Sequence, residues 1–404
     1  MCKKSNVLKF IESLSMNSKK SYHQSIKQYE EFHGTNIEDL IEEALEEQTK
    51  QVPQHLLKVI DRLEDFQNHL INQGLVYGTI QLKLTHIKTI YKRNRVNLPY
   101  IEPLNSKTIK RREYIEYKDV LTKDEIRKAL TLMKPIPRAR ALTIAQGGLS
   151  NEECEHLKLS SFIEELKCYH QKDDLIEALT WLADENHPVI WVTRLIRWKT
   201  KKPYYALIGS EAVNSIASAK LHELSKKNNI PDTDKLINCN KEGFIRTCRE
   251  INNKIGLGKV AQESKFRSHN LRRFHATYIN GSALTYEEHS LISNSEIDEM
   301  QGRGKTSVQD TYIKSNPLKQ KLLYAKVMNN VSLYHEYNYQ LLDDDVIVKI
   351  NDPSIENTQL RKEVKKLSDE LQKKKKASDK VKELRKSLGE EGFNEMINEI
   401  LNVS

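Results

Sequence analysis

Apolar residues recur through the first hundred positions at the three-and-four spacing of helices. Tyr22, Ile26 and Tyr29 follow Ser18, which has the chemistry of an N-cap, and Gly34 ends the run. Residues 37–47 read as a short acidic helix. Leu57, Ile60, Leu63, Phe66 and Leu70 form the next stripe, closed by Gly74. A fourth helix from Thr79 to Asn94 puts Ile80, Leu84, Ile87 and Tyr91 on its core face and Lys83, His86, Lys88, Lys92 and Arg93 on the others. Residues 1–104 therefore read as a bundle of about four helices whose last member is basic. Such a charge run is by default a solvated face.

Pro99, Pro103, Asn105 and Ser106 break the pattern, and residues 105–113 form a linker carrying Lys107, Lys110, Arg111 and Arg112. A second domain spans 114–335. Thr122 with Glu125 three residues on is a capping box that opens a helix, and Pro137 begins another that ends at Gly147-Gly148. Residues 163–188 are mixed helix and loop. Residues 189–208 alternate as a β-hairpin: Val189 to Val192 and Leu195 to Trp198 run out, the turn spans Lys199 to Pro203, and Tyr204 to Ile208 return. Helices follow at 210–228, at 241–255, around His269 to Arg272, and from Lys319 to about Leu333. Beyond the boundary at Asn351-Asp352-Pro353, Leu360, Val364, Leu367 and Leu371 recur at heptad spacing, so 351–404 is a helical tail, either a lone helix or a short coiled coil. The fold class is mainly α with a small β-sheet (α+β).

Composition narrows the setting. The 404 residues carry 65 basic and 56 acidic side chains, a net charge of +9, and a mean hydropathy of -0.66. That describes a soluble protein with a modest preference for polyanions. Cys2, Cys154, Cys168, Cys239 and Cys248 are scattered without a Cys-x-x-Cys pair, which fits reduced thiols and argues against a zinc site. No apolar run reaches the ~18 residues of a membrane span, and Met-Cys-Lys-Lys-Ser-Asn is no signal peptide. The expected location is the cytoplasm, with no membrane partner.

The chemistry concentrates between Phe266 and Pro317. His269 and Arg272, three apart, share one helix face and can reach a single anion. Gln301-Gly302-Arg303 supplies a second guanidinium in a turn, and Tyr312 follows nine residues later. These are the parts that phosphodiester chemistry with a phenol nucleophile requires: donors for non-bridging oxygens, a proton handler and an attacking oxygen. Among 17 tyrosines, Tyr278 and Tyr324 are nearby competitors, but neither follows a Gly-Arg turn. Arg273 points about 100° away from Arg272 and reads as a phosphate contact or a surface charge.

The ordered set resembles the tyrosine recombinases of the phage-integrase family, in particular their archaeal integrase-like branch, over roughly residues 5–335. The specific parts are His269-x-x-Arg272 and the Gly302-Arg303 to Tyr312 spacing, although Gly-His is the commoner pair at 302–303. The resemblance implies that residues 1–104 are a SAM-like core-binding domain laid across double-stranded DNA. Lys83, Lys88, Lys92 and Arg93, and the strap of Lys107, Lys110, Arg111 and Arg112, would then contact phosphates, as would Lys201, Lys202 and Arg273. It implies a catalytic domain in which Tyr312 forms a 3′-phosphotyrosyl bond. His269 would be the proton partner, Arg272 and Arg303 would brace the phosphate, and a lysine at the hairpin tip would protonate the leaving 5′ oxygen. Lys199 fits that lysine best, with Lys201 and Lys202 as competitors. The implied assembly is a homotetramer on two DNA sites, with an accessory DNA-bending protein as a further partner and neither metal nor other cofactor.

One departure matters. Gly148, Leu149, Glu153 and Leu157 match the family pattern, but Ser150 stands where an arginine is usual. Losing one preorganised transition-state donor costs ~3 kcal/mol. Arg140 is a poor stand-in, about 15 Å away along a helix axis, and Arg303 is the better one. Glu153 reads either as a catalytic-pocket carboxylate or as an acid favoured by a helix first turn. The rival functions are a DNA-binding protein that has kept this fold and lost efficient chemistry, and a topoisomerase.

Overall fold

The computed structural model describes residues 6–105, 107, 109, 110, 115–226, 234–281, 292–303, 316–341 and 345–352. The chain divides into two compact units, Met1–Tyr114 and Ile115–Ser404. Both are mainly helical, and the described sheets are two-stranded and antiparallel, in keeping with the α+β pattern of the sequence.

The first unit holds α1 (Asn6–Glu12), α2 (Met16–His33), α3 (Ile37–Thr49), α4 (Lys58–Asn72) and α5 (Tyr77–Arg93). The four expected helices are α2 to α5, and α1 is an addition. Tyr29, Leu63, Phe66, Ile80, Ile87, Ile90 and Tyr91 are fully buried at the centre. The cap of α2 is Ser15, not Ser18. Ser15 has the extended backbone that an N-cap needs, and its hydroxyl accepts the Ser18 N–H at 3.4 Å.

The basic face of α5 is narrower than the sequence pattern implies, because α5 packs against both α2 and α4. Lys83 and His86 are buried rather than solvated. His86 hydrogen-bonds Ser25 at 2.9 Å and stacks on Tyr22 at 3.9 Å, so it is a core histidine. Desolvation lowers the Lys83 pKa, and desolvation followed by Lys92 lowers that of half-buried Lys88. Lys92 and Arg93 remain exposed, the latter over the Phe10 ring at 5.1 Å. In the linker, Lys107 and Lys110 are exposed, and the Lys110 carbonyl accepts the Tyr77 N–H at 2.9 Å. Arg111 and Arg112 lie outside the described residues.

The second unit begins with α6 (Lys123–Thr131) and α7 (Pro135–Gly147). Both bonds of the capping box on α6 are present, Glu125 N–H to Thr122 Oγ1 at 3.2 Å and Thr122 N–H to Glu125 Oε2 at 2.9 Å. The next helix starts at Pro135, two residues before the expected Pro137. From Ala139 to Gly147 every residue of α7 is buried. This apolar, nearly uncharged stretch is the central strut of the unit, and Gly148 ends it at φ +62°. A Cβ at 148 would lie 2.5 Å from the His275 ring, so this position requires glycine for space as well as for conformation.

Around the strut lie α8 (Leu159–Glu165), α9 (Lys167–His170), α10 (Leu175–Ala183), α11 (Ser210–Lys226), α12 (Lys241–Lys254), α13 (Ser268–Ile279), α14 (Asn294–Met300) and α15 (Pro317–Val331). The expected hairpin is β1 (Trp191–Ile196) paired with β2 (Pro203–Ile208), in register from Trp191 opposite Ile208 to Ile196 opposite Pro203. Short β3 (Lys259–Val260) pairs with β4 (Glu263–Ser264). A third hairpin, β5 (Glu336–Leu341) with β6 (Val346–Asp352), was not anticipated; it follows α15 and packs on it, with Tyr337, Val346 and Val348 joining the core. The heptad stretch at 353–404, with its expected coiled coil, lies outside the described residues. No described helix is long and apolar enough to cross a membrane.

A buried carboxylate ties these parts together. Glu211, in the first turn of α11, accepts the backbone N–H groups of Leu333, Tyr334 and His335 at 2.7–3.0 Å and the Gln146 amide at 2.7 Å. It joins α7, α11 and the chain leaving α15. Burial raises its pKa against the pull of those backbone donors. Replacing Glu211 with Ala leaves four buried donors unpaired, each at ~1–3 kcal/mol. Urea unfolding of Glu211→Ala is expected to show a loss of at least ~3 kcal/mol; a loss below ~1 kcal/mol would mean that the clamp contributes little.

Candidate functional site

Arg272 is the anchor. It lies on α13, whose Leu271 and Phe274 are buried, so the guanidinium is carried inward to 8% exposure. Its Nη1 donates to Glu153 Oε2 at 3.4 Å and its Nη2 to the Gln301 carbonyl at 2.5 Å. Burial lowers its pKa and Glu153 opposes that shift.

Glu153 is as deeply buried, and its role is tied to Ser150. Its Oε2 accepts the Ser150 N–H at 2.7 Å, while the Ser150 hydroxyl accepts the Glu153 N–H at 3.2 Å. The serine at the unusual position is therefore a local cap, and it fixes the carboxylate that faces Arg272. The Tyr204 hydroxyl sits near the same carboxylate; burial, then the Glu153 charge, pushes its pKa well above 10. Arg140 is wholly buried elsewhere. It donates to Asn151 Oδ1 at 2.8 Å and to the Asn151 and Cys239 carbonyls, with Phe244 at 5.3 Å, and so is a structural residue.

Gln301 closes the site. The side-chain amide donates to the Arg272 carbonyl at 3.3 Å and pairs with His275 Nδ1 at 2.9 Å. Gly302 follows at φ +61°, with the Tyr204 ring where a Cβ would be. His275, one turn beyond Arg272, was not singled out from the sequence. Burial, then Arg272 and Arg303, push its pKa down to about 3, so it is neutral.

His269 and Arg273 lie on the first turns of α13. His269 is partly exposed; the partial desolvation of its ring, followed by Arg273, Arg267, Arg272 and Arg303, holds its pKa below the usual imidazole value, which favours the proton-accepting form. Arg273 Nη1 donates to Asn270 Oδ1 at 2.8 Å, and its other arm lies 3.4 Å from His269 Nε2. Arg303 is turned outward. It is half exposed and its Nη1 donates to Asp298 Oδ1 at 3.3 Å, so it reaches Arg272 through its field alone. Tyr312 lies outside the described residues.

The hairpin brings the lysines. The Arg197 N–H donates to the Lys202 carbonyl and the Lys201 N–H to the Arg197 carbonyl, both at 2.8 Å, so Trp198, Lys199, Thr200 and Lys201 form a closed tip. Lys199 and Lys201 are exposed and Lys202 half-buried. Trp198 stacks on His156 at 5.1 Å with Lys201 Nζ over its ring at 3.6 Å. The residue most clearly missed is Arg197. Its Nη1 donates at 2.5 Å to the Gln301 carbonyl, the acceptor Arg272 also uses. Only the pairing of positions 104 residues apart could have revealed it.

Among the described residues no cluster of three or more His, Cys, Asp or Glu is placed to hold a metal ion. No family model matches the sequence, and no curated protein matches it. Solved structures do. The crystal structure of XerA recombinase aligns over 80% of this chain and 97% of its own at 17% identity, with a TM-score of 0.33. XerH site-specific recombinase bound to difH substrate, a pre-cleavage complex, aligns over 80% and 84% at 16% identity and TM-score 0.44. The post-cleavage complex of XerH on palindromic difH aligns over 66% and 69% at 18% identity and TM-score 0.38.

Two outcomes follow from the burial. Glu153→Ala strands the Arg272 guanidinium without its counterion and is expected to cost ~3–5 kcal/mol in urea unfolding; a variant as stable as the parent would show that the pair is not what fixes Arg272. The unfolded chain protonates His275 near pH ~6.5, whereas the native pocket refuses the proton down to about 3. Its contribution is thus complete above pH ~6.5 and is lost progressively as pH falls, at up to ~1.4 kcal/mol per unit. His275→Gln should flatten the decline of the urea midpoint between pH 7 and 5, and an unchanged slope would remove His275 as its source.

Proposed function

We propose that this protein is a site-specific DNA recombinase that breaks and rejoins double-stranded DNA through a 3′-phosphotyrosyl intermediate. The observation that supports this most is the state of Arg272: buried, clamped between Glu153 and the Gln301 carbonyl, and on one helix with a neutral His269. A guanidinium desolvated and fixed in advance is suited to a phosphate whose charge grows in the transition state.

In this reading the Tyr312 oxygen attacks phosphorus and its proton passes to His269. The bond from phosphorus to the 5′ oxygen breaks, and Lys199 at the hairpin tip protonates the leaving oxygen. Arg272 holds the non-bridging oxygens, and Arg303, engaged with Asp298, adds positive field. One phosphodiester is exchanged for another, so the bond energy is kept for rejoining and no ATP is consumed. Lys92, Arg93, Lys107, Lys110, Lys201, Lys202 and Arg273 would bind backbone phosphates, which supply affinity and salt dependence rather than sequence choice. Exchange between two sites would engage four protomers.

A second reading has one observation in its favour. Ser150 is committed to capping and brings no cation, so the protein could bind DNA in this manner with weakened chemistry. A nicked duplex library of random sequence separates the two, because the short 5′ fragment diffuses away after cleavage and traps any covalent complex. The enzyme reading expects denaturant-resistant adducts that are absent with Tyr312→Phe. Retained DNA binding without adducts favours the second reading, and adducts that persist in Tyr312→Phe displace Tyr312 as nucleophile.

A further inference from the structure

We infer that Arg197 is the second guanidinium of the pocket and contacts the same phosphodiester as Arg272, a role that rests on the strand-cleavage reading above. Arg197 Nη1 and Arg272 Nη2 each lie 2.5 Å from the Gln301 carbonyl oxygen, so the two nitrogens are at most twice that distance, about 5 Å, apart. Two like charges so close repel, and a carbonyl dipole does not neutralise them. Glu153 balances one, through Arg272. Among the described residues no carboxylate lies within ion-pair distance of Arg197. The trio of Arg197, Arg272 and Glu153 therefore carries one unbalanced positive charge, with most of the ten guanidinium N–H donors uncommitted. A phosphodiester carries one negative charge and two non-bridging oxygens, which matches both the charge and the donors.

The backbone explains why Arg197 reaches this place. It is the last residue before the hairpin tip, its N–H donating to the Lys202 carbonyl and its carbonyl accepting from the Lys201 N–H, and its side chain crosses to the turn that follows α14. A cation delivered from the hairpin thus stands beside Arg272, while Ser150 is spent on positioning Glu153. Arg303 fits the role less well, because its guanidinium is engaged by Asp298 and half exposed.

The test uses the full chain and a duplex recovered covalently from the random nicked library by the unaltered protein. Adduct rate and duplex affinity at fixed salt are measured for the parent, Arg197→Ala, Arg197→Gln and Tyr312→Phe. Arg197→Gln can still donate to the Gln301 carbonyl, and serves if the alanine variant does not fold. The expected result is an adduct rate lowered ~10²- to 10³-fold in both Arg197 variants with affinity within about threefold, the phosphate contacts of other residues carrying most of the binding. Placing a neutral methylphosphonate at the cleaved position should shrink the gap between variant and parent to less than about tenfold, because the charge that Arg197 meets is gone. A parent-like rate in Arg197→Gln overturns the inference and leaves the function standing. So does a loss that methylphosphonate does not narrow, which would make Arg197 only a pin between hairpin and turn, or a larger loss in Arg303→Ala than in Arg197→Ala. If the parent forms no Tyr312-dependent adduct, both readings fall.

Discussion

The second unit depends on how the Arg272 charge is accommodated. Moving a guanidinium out of water costs several kcal/mol even after relaxation, and an ion pair offsets that only when geometry and further hydrogen bonds are good. Here the partners come from three separate stretches: Glu153 from the turn after α7, the Gln301 carbonyl from the end of α14, and Arg272 itself from α13. The pocket therefore joins segments that are distant in sequence. The Arg272 charge thus ties the three stretches together, and Ser150 reinforces this by holding the Glu153 carboxylate that faces it.

The remaining charges divide into those already paired and those held ready. Arg303 faces Asp298 and Arg267 lies 3.5 Å from Glu263, so both are partly screened at the surface. The two histidines beside the cations are kept neutral, His275 by complete burial and His269 by desolvation and four arginine fields. A neutral imidazole adds no repulsion to a pocket that is already cationic. It also leaves His269 able to accept a proton rather than obliged to give one.

What the sequence revealed was local. His269 and Arg272 share a helix face because of helical spacing alone, Thr122 and Glu125 cap each other across three residues, and the 189–208 alternation is a hairpin for reasons internal to those twenty residues. What it concealed depends on distant partners. Lys83 and His86 read as solvated because the sequence does not show that α5 is packed on two sides. Ser150 reads as a lost arginine until its exchange of hydrogen bonds with Glu153 is seen. The acceptor on which the site turns is a main-chain carbonyl, at Gln301, and backbone oxygens leave no mark in residue identity. The β5–β6 hairpin has only the short alternation of Val346, Val348 and Ile350 to mark it, beside the much stronger break at Asn351-Asp352-Pro353.

The hairpin reaches both the surface and the pocket. Its tip of four residues is closed by two backbone bonds at Arg197, and its aromatic, Trp198, is held between His156 and Lys201. The two bonds fix the backbone of Arg197, while the side chains of Lys199 and Lys201 stand exposed on long stems. The exposed tip and the buried pocket therefore share one residue, Arg197, whose backbone closes the tip and whose guanidinium meets the Gln301 carbonyl that also accepts from Arg272.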